Sequence, residues 1–304
     1  MESIALQYDS GSVYACRDRS RRVLLRDVAF SMEAGETLAV IGETGSGKTM
    51  LARSIMGLLP ENVKMEGGRV ILDGQLLASG RQRECLLGSD MVYIPQNGWE
   101  FLDPSRSIRR QLYDSLKKNG VPRGNLAALA AEKLALAGLP QPETLLDKYV
   151  FQLSGGMAQR VTIALAACAQ PKLLIADEPT NGLDYEAKCR FLSRLEQLFP
   201  QAAKLIITHD FQVARLCRNT LVLCGGRIME KGPSALLLEQ PRHPYTQALL
   251  DALVENGLKP TPLLRQGEAA CPFYRRCDRA QELCRRELRR QQQDNVEWWC
   301  SREV

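Results

Sequence analysis

Residues 42–49 read Gly42-Glu43-Thr44-Gly45-Ser46-Gly47-Lys48-Thr49, a full match to G-x-x-x-x-G-K-[ST]. The apolar run Leu38-Ala39-Val40-Ile41 precedes it and a helix-like stretch from Met50 to Gly57 follows. The chain is thereby held to a strand, a glycine-rich loop and a helix in that order. Glycines let the backbone approach phosphate oxygens, so that successive N–H groups and a helix N-terminus face an anion. Lys48 supplies a positive charge for the β- and γ-phosphates, and Thr49 a hydroxyl for Mg²⁺. Gly42, Thr44, Gly45, Ser46, Gly47, Lys48, Thr49 and Met50 are therefore the expected contacts of a nucleoside triphosphate. A glycine-rich turn before a helix would satisfy local sterics alone. The full motif should arise by chance on the order of once per hundred chains of this length.

The bulk numbers leave an ordinary globular protein. Of 304 residues, 45% are apolar and 25% charged, enough for one large domain with an appendage or for two domains. No apolar run approaches the ~18–20 residues that span a bilayer. The start, Met1-Glu2-Ser3-Ile4-Ala5, lacks the basic and apolar regions of a secretion signal, so the expected location is the cytosol or a membrane face reached through other chains. A net charge of +5 reads as scattered surface charge and gives no ground for nucleic-acid binding.

Short β-like runs alternate with polar turns over residues 1–40. Val70-Ile71-Leu72 followed by Asp73-Gly74 predicts a hairpin, and residues 107–139 carry helical periodicity, notably Leu126–Leu136. Leu173–Ala176 and Leu205–Thr208 are short and continuously apolar, as strands buried on both faces of a parallel sheet should be. Helical stretches between them predict α/β architecture. Beyond Gly232 a proline-rich passage leads to an Arg-, Gln- and Cys-rich tail, which sets a domain boundary near residue 235. The two domains are then 1–235 and 236–304.

Several polar groups fall where such a sheet presents chemistry. Asp177-Glu178 ends the apolar run Leu173–Ala176, at the carboxyl edge of a strand. Asp177 can hold Mg²⁺ and Glu178 can polarise a water for attack on the γ-phosphate. Leu153-Ser154-Gly155-Gly156-Met157-Ala158-Gln159 reads either as a capped helix start or as a second phosphate site. Thr208-His209-Asp210 follows the last apolar strand. His209 is one of only two histidines, placed to donate to a γ-phosphate.

Taken together, Gly42–Thr49, Gln96, Leu153–Gln159, Leu173–Glu178, Gly182-Leu183-Asp184 and His209 resemble, in order and spacing, the ATP-binding-cassette ATPases. The resemblance covers about residues 1–235. It implies a P-loop ATPase with a RecA-like parallel-sheet core, an antiparallel β subdomain and an α-helical subdomain near 97–165. It implies that two cassettes pair head to tail, with Ser154, Gly155, Gly156 and Gln159 of one subunit meeting the nucleotide held by Lys48 of the other. Glu178 would be the catalytic base, His209 would steady the γ-phosphate, and Gln96 would sense Mg²⁺ and the attacking water, so that Thr49, Gln96 and Asp177 form the Mg²⁺ set. Asp184 would link the two sites, although Asn181-Gly182 stands where Ser-Ala or Thr-Ala is more usual. An upstream aromatic stacks on adenine in this family, Tyr14 being the first candidate and Tyr8 the second.

A narrower likeness lies in Leu102-Asp103-Pro104 and in His243-Pro244-Tyr245-Thr246, which are similar to segments of dipeptide, oligopeptide and nickel importer ATPases. That implies an ATP-hydrolysing subunit that drives two membrane permeases, works beside a second ATPase (a paralogue or itself) and depends indirectly on a solute-binding protein. Its place would be peripheral, at the cytoplasmic face of the inner membrane.

Of ten cysteines, Cys271, Cys277, Cys284 and Cys300 cluster in the tail with spacing C-x₅-C-x₆-C-x₁₅-C. No close C-x₂₋₄-C pair is present for zinc, and stable cytosolic disulfides are disfavoured. Four thiolates suit an iron–sulfur cluster, and some peptide-importer ATPases that resemble this tail carry a [4Fe–4S] cluster there. Zn²⁺ and free thiols are the alternatives. The cysteines also keep open a non-transport cassette ATPase, such as an iron–sulfur assembly scaffold. The eight arginines from Arg275 to Arg302 read as a solvated helix surface or as a basic face for lipid headgroups.

Overall fold

A computed structural model describes residues 3–17, 20–261 and 263–302. The chain forms two compact units, one of residues 1–6, 32–36 and 71–206, the other of residues 7–31, 37–70 and 207–304. The α/β architecture expected from the alternating pattern is present in both.

In the first unit, strand Met91–Ile94 runs parallel to Leu173–Asp177, pairing Leu173 with Met91 and Ala176 with Ile94. Every residue of Leu173–Asp177 is buried, as a strand covered on both faces must be. Strand Ala203–Ile207 lies next to it in strand order. Helices Ile108–Lys118, Leu126–Leu136 and Gly155–Ala166 pack on one another, and Leu112, Leu116, Ala130, Leu134 and Val161 on them are buried. Two of the three starts carry side-chain caps: Ser107 Oγ accepts from Arg110 N–H, and Ser154 Oγ from Met157 N–H. The expected Asp73-Gly74 hairpin pairs Ile71 with Leu76.

In the second unit, strand Thr37–Ile41 is entirely buried and runs parallel to Asn219–Cys224, pairing Leu38 with Asn219 and Ile41 with Val222. A Gly225-Gly226 turn returns the chain as Arg227–Pro233, antiparallel to Asn219–Cys224. Strands Val296–Trp299 and Arg290–Gln293 then extend the same sheet outward. The cysteine-rich tail is thus built onto the sheet that carries the phosphate loop. Its arginines do not form the solvated helix surface read from the sequence: one turn, Leu283–Arg286, is followed by the hairpin. Arg290 pairs with Glu297 and Arg289 with Glu287, which spends the charge locally. A separate antiparallel sheet orders Ser20–Arg26, Ser12–Arg17 and Val63–Glu66.

Candidate functional site

The phosphate loop leaves the buried strand at Ile41 and enters helix Lys48–Met56. Gly42 has φ +152°, and a Cβ there would overlap the carbonyl oxygen of Leu223 and lie 2.8 Å from Ser46 Oγ. Only glycine fits where the loop passes so close to the neighbouring strand. Lys48 is buried, and its Nζ donates to the carbonyls of Gly42 at 2.7 Å and Glu43 at 3.1 Å. Gly226 N–H donates to the Ser46 carbonyl at 2.9 Å, so the adjacent hairpin supports the loop from below.

Two features fit this loop to a polyanion. The first turn of helix Lys48–Met56 carries no acidic residue, which leaves its N-terminal N–H groups free of a competing charge. Ser46 Oγ is buried with no hydrogen-bond partner, a cost normally avoided unless a ligand meets it. His209 belongs to the same unit. Thr208 N–H donates to the Val40 carbonyl at 3.1 Å, which brings exposed His209 to the edge where the loop begins. Asp210 then caps the next helix through Gln212 N–H.

Tyr14 lies on strand Ser12–Arg17, buried, with the Arg21 guanidinium 4.6 Å from its ring centroid. Tyr8 is in the core, with its hydroxyl 2.6 Å from Ser54 Oγ and its ring against Phe30.

The first unit gathers the other expected residues. The pairing of Ile94 with Ala176 puts Gln96, Asp177 and Glu178 at the same end of two neighbouring strands. Asp177 is buried and accepts a long 3.4 Å hydrogen bond from Tyr93 Oη, a partner that sequence spacing gave no means to see. Glu178 is half-buried with φ +48°, a left-handed backbone in a residue with a Cβ. Such positions are over-represented at functional sites. Gln159 Nε2 donates to the Pro95 carbonyl at 3.3 Å, joining the Ser154-Gly155-Gly156 helix to the Gln96 segment. Gly98 presses against that helix, where a Cβ would sit 2.8 Å from the Ala158 carbonyl carbon. Ser154, Gly155 and Gly156 are exposed at the helix start. Asp184 is exposed and caps helix Tyr185–Leu198 through Ala187 N–H at 2.7 Å.

In the tail, Cys271, Cys277, Cys284 and Cys300 are all buried, all outside disulfides, and all line one small enclosed cavity. Burial pushes the Cys271 thiol up to about 12 and raises Cys277 and Cys300 as well. Thiolates there need a compensating positive charge. His243 lines the same cavity. Its Nδ1 accepts from Tyr245 N–H at 2.9 Å, which leaves the proton on Nε2. Burial pushes this ring down to about 3, so it is neutral. Among the described residues no three His, Cys, Asp or Glu side chains converge tightly enough to chelate one ion.

Comparison with known proteins agrees with this geometry. Residues 25–181 match the family described as ABC transporter, and residues 229–284 match the oligopeptide/dipeptide transporter C-terminal region. The dipeptide transport ATP-binding protein DppD of Escherichia coli (strain K12) is 34% identical over 275 residues, covering 86% of this chain and 84% of that protein. The metal-staphylopine import system ATP-binding protein CntD of Staphylococcus aureus (strain Mu50 / ATCC 700699) is 36% identical over 235 residues, covering 75% of this chain and 86% of that protein. The structure of cbiO1 from Clostridium perfringens, part of the ABC transporter complex cbiONQ, superposes with a TM-score of 0.66 at 25% identity, covering 79% of this chain and 92% of that one. With its glycine cradle, its Ser154-Gly155-Gly156 helix and both sequence matches in place, this chain belongs to the ABC transporter ATP-binding family, in the branch that carries the oligopeptide/dipeptide C-terminal region.

Proposed function

We propose that this chain is the ATP-hydrolysing, energy-coupling subunit of an importer for di- or oligopeptides, nickel or metal chelates. The observation that carries the proposal is the pairing, in one chain, of the Lys48 loop with the His243-Pro244-Tyr245 region matched at 229–284. The named functions of DppD and CntD support it. That second match favours an importer over an iron–sulfur assembly scaffold.

In this reading Lys48 turns from the Gly42 and Glu43 carbonyls to the β- and γ-phosphates, and the amides from Gly45 to Met50 cradle them. Thr49, Asp177 and Gln96 would hold Mg²⁺, which would supply positive charge against the phosphates. Glu178 takes a proton from the attacking water, and His209 donates to the γ-phosphate. Ser154, Gly155, Gly156 and Gln159 of a second ATPase, identical or paralogous, close over the nucleotide, with Asp184 relaying between the two sites. Tyr14 stacks on adenine once Arg21 moves aside. The catalytic domain is residues 1–235, with a helical part near 97–165, and the extension is residues 236–304.

Two permeases hold the subunit at the cytoplasmic face of the inner membrane, and a solute-binding protein delivers cargo to them. No described helix is long and apolar enough to cross a membrane. Trp99 and Phe101 stay 40% and 48% exposed beside Gln96, an apolar surface on which a permease helix can rest. The reading includes no nucleic-acid partner.

Cys271, Cys277, Cys284 and Cys300, which line one cavity, would hold a [4Fe–4S] cluster. Zn²⁺ is the less favoured alternative, because no three of the described ligating side chains converge on one ion. Co-isolation from membranes with two polytopic permeases, and solute uptake that Glu178→Gln abolishes, are the expected results. Recovery only with soluble cluster-assembly proteins contradicts the proposal. Anaerobically purified protein should absorb near roughly 400 nm, and Cys277→Ser should remove that band.

A further inference from the structure

The tail does more than follow the phosphate loop in sequence. Arg276, the residue before Cys277, donates from Nη1 to Glu43 Oε1 at 2.7 Å and from Nη2 to Glu43 Oε2 at 2.6 Å. Glu43 is the second residue of the phosphate-loop motif. Its backbone N–H donates to the Tyr245 hydroxyl at 3.0 Å, and its carbonyl accepts from Lys48. One residue of the loop is therefore held at three points, two of them by the extension. A third contact backs the same loop: a Cβ on Gly225 would meet the Pro272 ring at 2.8 Å, and the adjoining Gly226 supports Ser46. Pro272 follows Cys271 directly, so one contact to the loop and one to its supporting hairpin come from neighbours of the cavity cysteines.

We propose that Arg276 and Tyr245 are positioning residues that tie the phosphate loop to the four-cysteine site, so that nucleotide affinity depends on the integrity of that site. The inference rests on the reading of the Lys48 loop as a nucleotide site. Its physics is local. A loop that must receive a polyanion carries a carboxylate at Glu43, and an unpaired carboxylate there repels phosphate. A planar guanidinium in bidentate geometry neutralises that charge and fixes its direction. The Tyr245 hydroxyl fixes the peptide group whose carbonyl parks Lys48. Arg276 is placed by the chain between Cys271 and Cys277, so loosening those thiols loosens the clamp. By reciprocity, nucleotide binding stabilises the extension in turn.

The test is a double-mutant cycle read as the dissociation constant of a nonhydrolysable ATP analogue with Mg²⁺, on the purified transporter complex. Arg276→Ala should weaken binding on the order of threefold to tenfold, the range of a partly exposed bidentate pair. In a Glu43→Gln background the same change should cost less than about twofold, because the charge it neutralises is gone. Cys277→Ser should weaken binding in the native background and add less than about twofold to Arg276→Ala. Arg276→Lys, which keeps charge without the fork, should fall between wild type and Arg276→Ala, and it serves where the cysteine variant does not fold. Equal losses from Arg276→Ala with and without Glu43→Gln, or unchanged affinity in Arg276→Ala, overturn the inference while the nucleotide site stands. Absence of analogue binding by the unaltered complex overturns both.

Discussion

At the scale of single residues, the site depends on backbone positions as much as on side chains. Gly42 admits no Cβ against the Leu223 carbonyl, so Gly42→Ala forces the loop off its strand. The expected cost is more than about 2 kcal/mol of stability together with loss of nucleotide binding, measured by chemical unfolding and by ATP titration. Glu178 combines a carboxylate at a strand end with a left-handed backbone. Glu178→Gln keeps the shape and removes the proposed base. Turnover should drop by about a hundredfold to ten-thousandfold, with ATP still bound; undiminished hydrolysis would remove Glu178 from its role. The carboxylate was legible in the Asp177-Glu178 pattern, whereas its conformation was not, because the sequence signal for positive φ is glycine or asparagine.

At the scale of elements, the site is held by contacts between segments that propensity does not reveal. Gly98 lets a short helix lie against Gly155–Ala166, and Gln159 bonds back to Pro95. Gly98→Val should push the two apart, lower the unfolding midpoint and reduce ATP-coupled uptake more than ATP binding. Parallel assays of transport and nucleotide affinity check this.

Lys204 offers a second case. It lies in strand Ala203–Ile207, and its buried Nζ donates to the carbonyls of Gly35, Phe199 and Ala202 at 3.2, 3.1 and 3.0 Å. Burial lowers its pKa from 10.5. The unfolded chain thus binds this proton more tightly, and stability from this group rises with pH between the lowered folded value and 10.5. Lys204→Met should flatten that rise, read in denaturant midpoints as pH approaches 10.5 from below. It should also destabilise at neutral pH, since three carbonyls lose their donor. From sequence, Lys204 reads only as a charge inside an apolar run.

At the scale of the whole molecule, the parts that announced themselves were those with local, periodic or motif-bound signals: the phosphate loop, the buried strands, the Leu126–Leu136 helix, the capped Ser154 start. What stayed hidden were long-range partners. Arg276 meets Glu43 across 233 residues and Tyr245 meets it across 202, and neither pairing leaves a trace in spacing. The arginine-rich tail forms a hairpin at Gln291–Gln293 where its charge suggested a helix surface, because charge density carries no information on period. The cysteines were legible as a set, and their common cavity required the fold. All functional roles rest on one claim, that the Lys48 loop grips a nucleoside triphosphate. Its most direct test is an equilibrium titration of Mg·ATP into the purified transporter complex, with Lys48→Ala in parallel. Saturable, magnesium-dependent binding that Lys48→Ala abolishes is the expected result; no magnesium-dependent affinity with Lys48 intact, or equal affinity without it, contradicts a triphosphate grip by this loop.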